Sequence, residues 1–252
     1  NRMVFRDFDT ARTIDVLEPD LTEVDAAIGG KTLLVATLGE RLAAAGREYV
    51  AVVSGTSGNA YTHAPRGGQR GGSTIHPDFT LPRELFRKLE SSFGVWPAQS
   101  APNIPRLRHA TDIFLNYAID ERDATVSFIW YSEPDKSQHA FGVGSPMATD
   151  ALMATDQEFG KMLDGLRSRG MLDDTDFLIV SDHGYTTVVD NIDVVGALAA
   201  EGFPKLGEPG GVAACSNGGT GLLYVTDSDA ATATRLAEWL MSQEWCGAIL
   251  GS

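Results

Sequence analysis

The apolar positions of this chain follow two different periods. Tyr49 to Val53, Ala124 to Tyr131, Asp176 to Val180 and Leu222 to Val225 are short runs rich in β-branched and aromatic residues, and each reads as a strand. Between them, apolar residues recur three and four apart over about 31 to 45, 82 to 93, 105 to 121, 145 to 169, 192 to 201 and 229 to 243, which predicts helices. In the first of these, Leu33, Leu34, Leu38 and Leu42 share a face, with Gly46 as the stop. The longest opens on Ser145-Pro146 and closes at Gly170, with Leu152, Met153, Phe159, Leu163 and Leu166 as its apolar face. Asp156 falls on that face and reads as a buried carboxylate. Helices alternating with short strands, and no hairpin series, predict an α/β fold: a mainly parallel sheet flanked by helices on both faces.

Residues 55 to 104 are rich in Gly, Ser, Thr and His near their start and read as a loop-rich excursion from one domain spanning 1–252. The stretch Gly67-Gly68-Gln69-Arg70-Gly71-Gly72-Ser73 lacks the Lys-Ser or Lys-Thr pair that opens a helix in a phosphate-binding loop, so it reads as a surface segment.

Composition narrows the function. A net charge of −14 disfavours nucleic-acid polymers and anionic membranes, because binding either depends on Lys and Arg displacing counterions. It leaves room for a small phosphoester substrate if metal ions supply local positive charge. No apolar run approaches membrane-spanning length, and no signal-peptide pattern is visible. Cys215 and Cys246 are isolated and read as unpaired core thiols. The compartment stays open, with the cytoplasm slightly favoured, and nothing indicates an oligomeric state. Both ends read as the interior of a larger enzyme.

Two clusters carry the candidate chemistry. Glu133-Pro134-Asp135-Lys136-Ser137-Gln138-His139 and Ser181-Asp182-His183-Gly184 each pair one carboxylate with one imidazole, and each follows a predicted strand. In an α/β sheet the functional loops lie at the carboxyl ends of strands, so both clusters can converge on one crevice. Asp135 and His139 face one way if their segment is helical. Asp182 and His183 would diverge in a strand, so they act together only if the chain turns, which Gly184 permits. Mixed oxygen and imidazole donors suit zinc or a similar divalent ion. Each pair alone is also what an ordinary surface loop carries. Tyr185 and Thr186 line the same place or pack beneath it, His109 reads as structural, and His63 and His76 sit in the excursion.

Taken together, "YSEPDKSQHAFGVGSP" and, about forty residues on, "FLIVSDHGY" resemble the alkaline phosphatase superfamily, and within it the type I phosphodiesterase and nucleotide pyrophosphatase branch. The likeness in order and spacing covers about Ala124 to Tyr185. It implies an alkaline-phosphatase-like fold and two divalent ions, with zinc the expected metal. Asp135 and His139 would serve the ion on the leaving-group side; Asp182 and His183 would serve the ion that activates the nucleophile. It also implies hydrolysis of phosphodiester or pyrophosphate bonds through a covalent phospho-enzyme formed on a threonine upstream of Asn1. No residue of this chain matches that nucleophile. Asn1 would donate its side-chain amide to a phosphate oxygen. The family's C-terminal histidine ligand has no counterpart, since no His follows His183. Other branches acting on phosphonates, phosphomonoesters or sulfate esters share these clusters, and a non-catalytic metal-binding module is the alternative of a different class.

Overall fold

The structure is a computed structural model that describes residues 4–7, 12–30, 32–68 and 72–251; Asn1 and residues 69–71 of the Gly-rich stretch lie outside them. In chain order the elements are β1 (Val4–Asp7), β2 (Arg12–Asp15), α1 (Glu18–Ala27), α2 (Leu38–Ala44), β3 (Tyr49–Val53), α3 (Ser57–His63), β4 (Ser73–His76), β5 (Phe79–Leu81), α4 (Leu85–Phe93), α5 (Ile104–Ile113), β6 (Val126–Trp130), α6 (Asp135–Phe141), α7 (Pro146–Ser168), α8 (Val194–Ala200), β7 (Val212–Asn217), β8 (Thr220–Val225) and α9 (Ala230–Met241). They fall into two units: residues 17–187, and residues 1–16 with 188–252.

The larger unit is built on a four-stranded sheet in the order β5-β4-β3-β6. β3 runs parallel to both neighbours, pairing Val50 with Ser73 and Tyr49 with Val126, and β5 closes one edge antiparallel. β3 is central, and all five of its residues are buried. Its alternation sends Val50 and Val52 into a cluster with Ile75, Leu85, Leu89, Ala110, Ile113, Phe114 and Met162, so α4, α5 and α7 cover that face. Tyr49 points the other way and meets His63 of α3 at 3.3 Å. This is the mixed, mostly parallel α/β arrangement that the periodicity implies. The smaller unit holds two antiparallel pairs, β1-β2 and β7-β8, and a core of Leu198, Phe203, Val212, Leu236 and Leu240.

Four local expectations need correction. Asp176 to Val180 is not a strand: it carries no ladder, and Leu178, Ile179 and Val180 are 89%, 76% and 69% exposed. β6 stays an edge, so an apolar run has encoded a tendency to be buried without specifying a partner. The helix predicted from Lys31 starts only at Leu38, where Thr37 and Glu40 form a reciprocal capping box. Upstream, Thr32 donates its N–H and hydroxyl to Asp25 Oδ1, a local bond that competes with helix. Residues 55–104 carry α3, β4 and β5 besides α4, which the periodicity over 82 to 93 predicts, so the excursion holds more sheet and helix than expected. On α7 the buried face is Ala148, Ala151, Ala154, Glu158, Met162 and Leu166, while Leu152 and Met153 are half exposed. Small alanines permit close helix packing there; Asp156 is exposed, and the buried carboxylate is Glu158, paired with Lys161 at 2.5 Å.

Candidate functional site

The site grows from the carboxyl ends of two adjacent parallel strands, β3 and β6. Ser54, just past β3, donates its hydroxyl to the Trp130 carbonyl at 3.1 Å and accepts the Ser132 N–H at 3.2 Å. These bonds fix where the chain leaves β6. Glu133 then turns inward, 4% exposed, and α6 begins at Asp135.

One helical turn brings Asp135 and His139 together, with Asp135 Oδ1 3.4 Å from His139 Nε2. The second cluster lies beside the first in the same unit. His183 Nε2 stands 3.7 Å from Asp135 Oδ1 and 3.6 Å from Asp182 Oδ2. The chain turns at this point, with the Ser181 hydroxyl donating to the His183 carbonyl at 2.6 Å. Asp182 and His183 therefore approach each other although they are sequence neighbours. The structure brings together all four residues singled out from the two clusters. Each side chain is about half exposed, so the site faces solvent.

Protonation logic sharpens this geometry. His183 Nδ1 lies 2.8 Å from the Gly184 carbonyl, which can only accept, so Nδ1 carries the proton and Nε2 is free to present a lone pair. That orientation is the usual one for a metal-ligating imidazole, whose second nitrogen donates to a carbonyl or carboxylate. The Gly184 bond contributes most to a raised His183 pKa, burial opposes it, and the Asp182 and Asp135 charges add to the rise. Asp135 Oδ1 is buried and has no hydrogen-bond partner while facing two imidazole nitrogens, an arrangement that calls for a shared cation or proton. Tetrahedral ligands at zinc bond lengths sit about 3.3 Å apart, close to the 3.4 to 3.7 Å seen here. The donor chemistry fits a divalent ion. It is a partial set, because among the described residues no three His, Cys, Asp or Glu side chains meet closely enough to enclose an ion by themselves.

Tyr185 walls the site, its ring centroid 5.1 Å from that of His139 and 6.2 Å from that of His183. Burial and the Asp135 charge raise its pKa, which keeps the hydroxyl protonated. The remaining histidines serve the fold. His63 packs on Phe128 and Trp130, His109 stacks on Trp96, and buried His76 donates to the Gly55 carbonyl while accepting the Asp78 N–H. Sequence reading gave Glu133, Ser54, Ser132 and Asn103 no role. Glu133 had a signal in its place directly before Pro134-Asp135; Asn103, about thirty positions away, had none.

Comparison with known proteins gives an independent result. The model of the type I phosphodiesterase / nucleotide pyrophosphatase family matches residues 16–241. Ectonucleotide pyrophosphatase/phosphodiesterase family member 7 of Rattus norvegicus is 31% identical over 68 residues, 27% of this chain and 16% of the rat protein. The Homo sapiens protein of the same name is 29% identical over 126 residues, 50% of this chain and 27% of its own length. The chain thus spans well under a third of these relatives. No solved structure matches.

Proposed function

The chain belongs to the type I phosphodiesterase / nucleotide pyrophosphatase family, and from that premise we propose that it hydrolyses phosphodiester or pyrophosphate bonds of small nucleotide-type substrates with divalent metal ions, zinc first among them. The observation that carries the reading is the buried, unpartnered Asp135 Oδ1 set between His139 Nε2 and His183 Nε2. Asp135 and His139 would hold one ion, Asp182 and His183 the other. When bound, such ions neutralise phosphate charge and lower the pKa of a bound water or hydroxyl to about 7.

The chain's own residues do the rest of what can be assigned. The Gly184 carbonyl fixes His183 in the tautomer that directs Nε2 inward. The α6 turn aims His139 at the same carboxylate oxygen, and Tyr185 shields one side of both rings. A threonine nucleophile, as the resemblance implies, would attack phosphorus in line and expel the leaving group, giving a covalent phospho-enzyme that water then cleaves. Asn1 would steady a non-bridging oxygen.

The test is metal content and turnover on the complete protein. Purified protein should retain zinc, hydrolyse bis-p-nitrophenyl phosphate faster than p-nitrophenyl phosphate or p-nitrophenyl sulfate, lose turnover in a strong chelator, and regain it when zinc is restored. Undiminished turnover after verified metal removal would overturn the reading.

A further inference from the structure

We propose that Glu133 is a positioning residue for the metal site: its buried carboxylate joins the starts of two helices and thereby sets the aim of Asp135 and His139. The inference rests on the reading of those two side chains as metal ligands.

Glu133 Oε1 accepts the Asn103 N–H at 2.6 Å, and Oε2 accepts the Ser137 N–H at 3.0 Å. Ser137 lies in the first turn of α6, whose N-cap is Pro134, a residue with no polar side chain to cap the helix. Glu133 supplies that cap from one residue upstream. Asn103 is the N-cap residue of α5, so the same carboxylate lies at two helix N-termini, where partial positive charge favours it. The tie continues to the sheet. Asn103 Nδ2 donates to Ser132 Oγ at 3.0 Å, the Lys136 N–H to the Ser132 carbonyl at 3.1 Å, and the Ser132 N–H to Ser54. Asp135 and His139, by contrast, are half exposed, and the side chains they meet, His183 and Tyr185, are themselves at least partly exposed. Their mutual placement is therefore set by the backbone below, and Glu133 is the group that fixes it. Buried partners of this kind typically alter metal affinity about 10- to 100-fold when removed.

The experiment compares three full-length proteins: unaltered, Glu133→Gln, and Ser145→Ala, which removes the unrelated N-cap of α7. Gln keeps the volume but turns an amide donor toward one of the two N–H groups. Each protein is titrated with Co2+ alone and followed by visible d–d absorption, and amide hydrogen exchange is measured without metal. Glu133→Gln should speed exchange at Ser137 and Asn103 and weaken Co2+ binding 10- to 100-fold. Ser145→Ala should lower thermal stability and leave Co2+ affinity unchanged. If Glu133→Gln fails to fold, Glu133→Asp, too short to reach both N–H groups, carries the same expectation. Unchanged Co2+ affinity in the Glu133 variant, or equal weakening in Ser145→Ala, overturns the positioning role alone. Absence of Co2+ binding in the unaltered protein overturns the metal reading itself, and this inference with it.

Discussion

His63 should make the larger unit acid-labile. Its ring lies 4.2 Å from Phe128 and 5.9 Å from Trp130 by centroid, and burial pushes its pKa down from 6.5 to about 4. The folded state therefore holds His63 neutral at a pH where the unfolded chain has already taken up a proton. Stability from this group is complete above about pH 6.5, falls as pH drops toward about 4, and changes no further below that. At about 1.4 kcal/mol per pH unit between 6.5 and about 4, the loss is at most about 3.5 kcal/mol. The perturbation is His63→Phe, which keeps an aromatic ring and cannot titrate. Urea unfolding of both proteins, followed by tryptophan fluorescence at steps between pH 7 and pH 4, gives two stability curves. Carboxylates and His76 contribute to both and cancel in the difference. The stability of the unaltered protein relative to the variant should fall by 2–3 kcal/mol across that window. Parallel curves would show that His63 stays solvated enough to titrate normally, and the reasoning from burial would fail.

Other outcomes follow from the same geometry. His139→Ala and His183→Ala should abolish zinc retention and turnover while changing the unfolding free energy of the metal-free protein by no more than about 0.5 kcal/mol, since both side chains are half exposed; equal metal content in the variants contradicts this. Ile113→Ala removes a fully buried side chain of the main cluster and should cost about 2–5 kcal/mol in urea unfolding. Gly72→Ala places a Cβ against the Tyr49 carbonyl at a backbone φ of 78°, so it should destabilise by at least about 1 kcal/mol in the same assay.

The fold was legible wherever local chemistry and tertiary contacts agree. Tyr49 to Val53 reads as a buried strand and is one, because the centre of a parallel sheet demands a continuous apolar run. Ser145-Pro146 predicts the start of α7 to the residue, since capping and proline geometry are local properties. Phe177 to Val180 is as apolar a run as Tyr49 to Val53 and ends unpaired, because which edge a strand joins depends on the rest of the sheet. The α7 face was misread because Leu152 and Met153 outweigh alanines on any hydrophobicity count, whereas close packing selects the small residues. At the site, spacing and position after apolar runs single out Asp135, His139, Asp182 and His183, and the structure brings these four side chains together. Their support was not: Asn103 reaches Glu133 through the path of the chain, which no local pattern encodes.

The most direct measurement is zinc-edge anomalous scattering from crystals of the complete protein. The account predicts an anomalous peak bonded to Asp135 Oδ1 and His139 Nε2, and a second peak bonded to Asp182 and His183. Zinc-loaded crystals without a peak at these side chains, or with the two loops turned apart, would contradict it.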